Sequence, residues 1–291
     1  MEFIQQIING LSLGSIYALI ALGYTMVYGI IKLINFAHGD IYMIGAFIGL
    51  YCGSNLGLSL IPTLIISMLG AALVGVIIEK VAYKPLRNSP RITLLITAIG
   101  VSLLLENGMR FLVGPSPKAF PKLLSKEVIN IGAISIETSK ILMLVVSIIL
   151  VLLLQIVVYK TKVGKAMRAA SFDIEAASLM GINVDNTISL TFAIGSALAG
   201  AAGVLVSLAF TVVEPYMGII PGLKAFIAAV LGGIGSIPGA LVGGLIIGLT
   251  ENLTKAYIST TLSDAIVFGI LIIILLVKPT GLLGKKINEK V

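Results

Sequence analysis

The sequence has no tryptophan, a single cysteine (Cys52) and a single histidine (His38) among 291 residues. One cysteine cannot build a disulfide framework or a thiolate metal site within the chain. One histidine leaves no Cys–His dyad and no His-rich ligand set, so neither a metal nor a cofactor is expected, and an intramembrane enzyme is disfavoured. Charge is scarce as well. Asp, Glu, Lys and Arg make up 11% of the chain, too little to form the polar shell of a soluble protein of this length. The first basic residue is Lys32, so no positive segment precedes the first apolar run, which is expected to stay as a span. A phosphate-binding loop is missing too. Such a loop needs a lysine and a hydroxyl directly after the glycines, because the lysine must reach the phosphates. Gly232–Gly239 is followed by Ala240, and Gly281-Leu-Leu-Gly-Lys-Lys286 lacks both the spacing and the hydroxyl. Any transport by this chain must therefore draw energy from a partner or an ion gradient.

Apolar residues fill the space instead, at 58% of the chain. The 32 glycines sit largely inside apolar segments, where small residues let helices approach closely. The formal charge of +7 comes from Lys and Arg clustered in the gaps between apolar runs, not from a basic stripe interleaved with aromatics. Nucleic-acid binding is not expected.

A span needs roughly 20 apolar residues to cross about 30 Å. Candidate spans are Ile4–Ile31, Phe36–Cys52, Leu58–Ile78, Ile92–Val113, Ile141–Val158, Thr187–Phe210 and Asp264–Val277. Met217–Asn252 holds one or two more, interrupted by Gly232, Gly233, Gly235, Ser236, Pro238 and Gly239, where a tight turn or a broken helix is expected. The fold expected is an all-α polytopic bundle of roughly eight or nine spans in a single domain, residues 1–291, with a polar loop at about 159–186. Lys80, Lys84, Arg87 and Arg91, then Lys160, Lys162, Lys165 and Arg168, then Lys278, Lys285, Lys286 and Lys290 mark three cytoplasmic segments. Parity then favours nine crossings with the N-terminus outside and the C-terminus in the cytoplasm. Lys118, Lys122, Lys126 and Lys140, only partly offset by Glu127 and Glu137, fall on the external side in this scheme and conflict with it.

The polar island at residues 159–182 predicts two short helices. The first covers about Gly164–Ala170 and carries Lys165 and Arg168. Asp173 is placed to cap the second helix, which holds Glu175, and Gly181 to end it. Ile174, Ala177 and Met180 are spaced three apart as an apolar strip. The island reads as a docking surface for a soluble partner or as an ordinary cytoplasmic loop.

Polar residues at membrane depth invite a functional reading. His38 and Asp40 near the start of the second span could line a polar path or could organise a helix start together with Asn35. Glu106 and Arg110, four apart, can pair along one face. Glu251-Asn-Leu-Thr-Lys255 echoes Glu106-Asn-Gly-Met-Arg110, a pattern that would suit an internal repeat, although five positions are few.

Several ordered motifs carry a wider resemblance. They are Asn35-Phe-Ala-His-Gly-Asp-Ile-Tyr-Met-Ile-Gly-Ala-Phe47, the island from Gly164 to Ile182, Gly222-Leu-Lys-Ala-Phe226, Leu231-Gly-Gly-Ile-Gly-Ser-Ile-Pro-Gly-Ala240 and Lys278-Pro-Thr-Gly-Leu-Leu-Gly284. Together they resemble the LivH-type permease of branched-chain amino-acid ABC importers over nearly the whole chain. The resemblance implies a bacterial or archaeal cell-membrane protein paired with a LivM-type permease. It also implies two cytoplasmic ATP-binding subunits that meet the island, and an external binding protein that delivers leucine, isoleucine or valine. Related permeases serve urea or amides, and Asp40 after His-Gly looks more like the amino-acid branch. The rival from another class is an ion-coupled secondary transporter with Asp40 or Glu106 as its proton or Na⁺ site.

Overall fold

The computed structural model describes residues 2–124, 128–131 and 134–284. Lys126, Glu127, Lys285, Lys286 and Lys290 lie outside the described residues. The helices are α1 (Glu2–Ile31), α2 (His38–Ser54), α3 (Leu60–Ile78), α4 (Arg91–Val113), α5 (Thr138–Lys160), α6 (Lys162–Phe172), α7 (Ile174–Leu179), α8 (Val184–Phe210), α9 (Ile219–Gly232), α10 (Ile237–Tyr257) and α11 (Leu262–Val277). A π-helical turn, Glu79–Tyr83, and a short 3₁₀ turn, Lys84–Leu86, follow α3. The all-α expectation omits four short strands. β1 (Lys118–Ala119) pairs antiparallel with β4 (Val212–Val213), and β2 (Val128–Ile131) with β3 (Ile134–Glu137).

Six helices, α1, α3, α4, α5, α8 and α10, are long and apolar enough to cross a bilayer. The remaining apolar helices are shorter: α2 has 17 residues, α9 has 14 and α11 has 16. A 14-residue helix reaches only about 21 Å. The first of the two crossings expected in 217–252 therefore starts part-way along the bundle, because the chain from 211 to 218 is not helical.

Small residues decide how the bundle is assembled. α1 and α8 cross where Gly23 meets Gly195. α10 runs antiparallel to α1, with Asn252 bonded to Gln6, Gly248 against Gly14 and Gly244 against Ala18. α3 runs antiparallel to α8, with Ser67 and Ala71 against Gly200, Gly75 against Ser196, and Glu79 bonded to Ser189. The short helices α2 and α9 begin against one another, Gly39 beside Gly218, close to the crossing of α1 and α8. α2 then lies along α8, and α9 along α1. The order long helix, short helix, helix antiparallel to the other run's long helix, outer helix thus occurs twice, as α1–α4 and as α8–α11. The two runs have opposite directions, the arrangement of an inverted repeat.

The outer faces of α3, α4, α5 and α11 are apolar and open, with Ile61, Leu69, Leu104, Phe111, Leu152 and Leu276 exposed. A contiguous apolar exterior of this extent is what lipid, not water, would cover. The island, the 79–91 segment and the described part of the C-terminal segment share one end of the bundle. β1, β4 and Pro121, which packs on Gly53, lie at the far end.

Candidate functional site

At the island end, each helix start has its own cap. Thr161 Oγ1 accepts from Gly164 N (3.1 Å), Asp173 Oδ1 from Ala176 N (3.0 Å) and Asn183 Oδ1 from Asn186 N (3.0 Å). Each satisfies one of the free N–H groups of a first turn. Gly181, with φ +83°, ends α7. Ile182 N donates to Ala177 O (3.1 Å) across the left-handed residue, the closure a glycine permits at this point. Gly164 lies under the Val157 and Val158 carbonyls, where a Cβ would collide with them. Arg168 does not point outward as a docking charge would. Its Nη1 donates to Val158 O, and the guanidinium lies 5.5 Å from the Tyr159 ring centroid. Lys165, Asp173 and Glu175 are exposed.

The expected Ile174–Ala177–Met180 strip does not form one packing face. Ala177 is 4% exposed, whereas Met180 is 83% exposed. A six-residue helix is too short to keep one face against the bundle along its length, so only its middle position is buried. The most exposed apolar residues are Phe172, Leu179 and Met180, the first two at 96% and 89% exposure. Periodicity missed Phe172 because it ends the preceding helix.

The turn at 233–236 is tight. Gly233 and Gly235 adopt φ +103° and +94°, angles that side chains avoid. Ser236 Oγ accepts from Gly239 N (3.2 Å) and Pro238 sits in the first turn of α10. Gly232 and Gly239 lie in backbone contact. The segment after α11 then straps the end of α9, with Leu282 N donating to Leu231 O (2.8 Å) and Leu283 N to Gly232 O (2.9 Å).

Of the polar residues at depth, His38 packs edge-on against Tyr24 at 4.8 Å, with Nε2 against Gly23. Neither Asn35 nor Asp40 caps α2, whose N-cap position is Ala37 without a side-chain bond. Asn35 Oδ1 accepts from Tyr83 Oη (2.9 Å), and Asp40 accepts from Ser102 Oγ (2.5 Å). The expected Glu106–Arg110 pair is absent. Glu106 is buried and faces the Asp40 carboxyl, while Arg110 is exposed and reaches Tyr216 Oη at 3.4 Å. One turn further toward the end of α4, the arginine has already passed the α2 contact that holds the acid.

The echo at Glu251 behaves differently. Glu251, 1% exposed, accepts from Lys255 Nζ (2.5 Å), Lys224 Nζ (2.8 Å) and Tyr17 Oη (2.7 Å). Lys224, 3% exposed, also pairs with Asp264 at 2.7 Å. Four helices, α1, α9, α10 and α11, meet in this network. Sequence reading did not single out Lys224, although it is the one charged residue in α9.

Beside the network lies a cavity of about 380 Å³. Leu13, Ile16, Tyr42, Val206 and Ile220 wall it, and Tyr17, Lys224, Glu251 and Lys255 give it a charged side. Glu214 and Tyr216, from the segment after β4, also line it, and Tyr216 links it to Arg110. Chemically, the site offers both signs of charge next to aliphatic surface.

Comparison with known proteins matches this architecture. The family described as branched-chain amino acid transport system / permease component matches residues 6–276. The chain is 47% identical over 304 residues to the high-affinity branched-chain amino acid transport system permease protein LivH of Salmonella typhimurium, covering 100% of this chain and 98% of that protein. It is 43% identical over 302 residues to BraD, a permease protein of the same kind of system in Pseudomonas aeruginosa, with coverage of 100% and 98%. Among solved structures, PsaBC from Streptococcus pneumoniae in complex with Fab aligns at TM-score 0.50 and 15% identity, over 96% of this chain and 93% of that chain. That likeness is one of fold. The full-length identity carries the further conclusion that the chain belongs to the family of permease components of branched-chain amino acid transport systems.

Proposed function

We propose that the chain is the membrane-spanning permease subunit of an ATP-driven importer of leucine, isoleucine and valine in a bacterial or archaeal cell membrane. The observation that carries this reading is identity to high-affinity branched-chain permeases along the whole chain. In this reading the island end is cytoplasmic, the N-terminus is outside, and ATP is hydrolysed by two partner subunits. A second, LivM-type permease completes the membrane unit, and an external binding protein presents substrate at the far end.

The island supplies the face for the ATP-binding partners. Phe172, Leu179 and Met180 project from a loop whose fold is already fixed by three caps. Exposed apolar side chains on a capped polar loop are suited to a protein groove.

The test is reconstitution of the four membrane-bound subunits in liposomes with the binding protein outside and ATP inside. Radiolabelled leucine should accumulate only with ATP. Each apolar anchor contributes about 1.5–3 kcal/mol when buried, so Phe172→Asp with Leu179→Asp should weaken retention of the ATP-binding subunits by more than about 100-fold. Undiminished co-purification by that variant would place the docking face elsewhere. Uptake by the chain alone, driven by a Na⁺ or proton gradient, would replace the reading with a secondary transporter.

A further inference from the structure

We propose that the cavity beside Glu251 is a substrate-binding site within the permease itself, shaped for a zwitterionic α-amino acid with an aliphatic side chain. The proposal rests on the transport reading above and adds a place where the permease selects its cargo.

Its volume, about 380 Å³, falls in the range of about 300–1,000 Å³ typical of small-molecule sites. Lys224, Lys255, Glu214 and Glu251 line it; with Asp264, paired to Lys224, and Arg110, which reaches Tyr216, three bases balance three acids. A ligand with one charge of each sign leaves that balance undisturbed. A ligand with net charge would bring an uncompensated ion into a partly apolar chamber, which is costly. The aliphatic part of the lining, Ile16, Val206 and Ile220, offers no hydrogen-bonding side chain, so polar side chains would lose water there without replacement.

The polar groups differ in how free they are. Lys224 is buried and holds two acids, Glu251 and Asp264. It is a fixed part of the scaffold. Lys255 is 41% exposed at its side chain and holds Glu251 alone, so it can turn to an incoming carboxylate while Lys224 and Tyr17 keep Glu251 satisfied. Tyr42 is buried against the same chamber, and its hydroxyl stands outside the Tyr17–Glu251–Lys224–Lys255 network. Glu214 is exposed and joins no ion pair among the described residues. The geometry assigns the substrate carboxylate to Lys255 and Tyr42, the ammonium to Glu214, and the side chain to the aliphatic wall.

The test uses the assembled importer in nanodiscs, without the binding protein, in a Cys52→Ser background. Ile220→Cys and, separately, Met217→Cys report on the chamber through their rate of reaction with a small water-soluble thiol reagent. Millimolar L-leucine should slow that reaction at least severalfold, while L-lysine and L-glutamate at the same concentration should leave it unchanged. Adding Lys255→Met should abolish the leucine effect, read as the ratio of rates with and without leucine in the same variant, whereas Lys165→Met on the island should preserve it. Equal protection by lysine or glutamate, no protection by leucine, or no reaction at either reporter would overturn the proposal. ATP-dependent leucine uptake, measured on the same complexes with binding protein added, separates the two readings. Intact uptake without protection removes the site and leaves the transport function standing.

Discussion

Glu79 and Glu251 occupy matching places in the two inverted halves, and their surroundings differ in one telling respect. Each is buried, and each accepts a hydroxyl proton from the long helix it faces: Ser189 Oγ at 2.6 Å for Glu79, Tyr17 Oη at 2.7 Å for Glu251. At the island end, Arg87 joins Glu79 (2.7 Å) to Asp185 (2.6 Å), and Lys84 adds a second contact to Asp185 (2.7 Å). The space beside that cluster is about 10 Å³, the room of one water at most. At the far end the equivalent acid borders about 380 Å³. The same fastening thus closes the bundle at one end and holds a chamber open at the other. Each half carries a buried acid that accepts from a hydroxyl on the long helix of the other half; the residues around each acid decide whether a void remains.

The largest effect that would test this contrast is expected from Glu251→Gln. It leaves Lys224 buried with only Asp264 as a charged partner, and losing one member of a buried pair typically costs about 3–5 kcal/mol. Glu79→Gln leaves Arg87 with Asp185 at the surface, so a smaller loss of about 1–3 kcal/mol is expected. Thermal unfolding of the solubilised variants ranks them, and a larger loss for Glu79→Gln would reverse the proposed roles of the two ends.

A second comparison concerns the helix contacts next to these acids. A Cβ at Gly248 would strike the backbone of Gly14, whereas at Gly75 it would strike the side chain of Ser196. Both Gly→Ala changes should destabilise by about 1–3 kcal/mol through overpacking. Adding Ser196→Gly should restore much of the loss at Gly75, and no single side-chain deletion should rescue Gly248→Ala. Equal rescue at both sites would mean that the α1–α10 contact is softer than its geometry implies.

The smallest effect is expected from Lys84→Ala. The Lys84–Asp185 pair is about half exposed on both sides, and such pairs contribute about 0–1 kcal/mol. An unfolding midpoint close to that of the unaltered protein is expected. A fall as large as that of Glu79→Gln would show that the island-end cluster acts as one unit.

The sequence reveals features that one helix or one turn determines. Asp173 and Gly181 can be read as cap and stop because both act on backbone groups within a few residues. The glycines and Pro238 announce a turn for the same reason. What it hides is set between helices. An i, i+4 rule pairs Glu106 with Arg110, but it cannot see that α2 brings Asp40 to the acid first. Lys224 finds Glu251 across 27 positions, a partnership no local pattern encodes. Gly39 at the start of α2 meets Gly218 at the start of α9, a contact equally beyond any local pattern.

The joint between the island and α5 has a mechanical consequence. A single extended residue, Thr161, separates α5 from α6, and Arg168 and Gly164 clamp α6 onto the last carbonyls of α5. The two are therefore fastened together, so any tilt of the island would be shared by α5, 23 residues long. At 1.5 Å per residue α5 measures about 35 Å, so a tilt of about 5° at the island carries its far tip about 3 Å. A tilt small enough to leave the packing at the island intact would thus be magnified at the far end of α5.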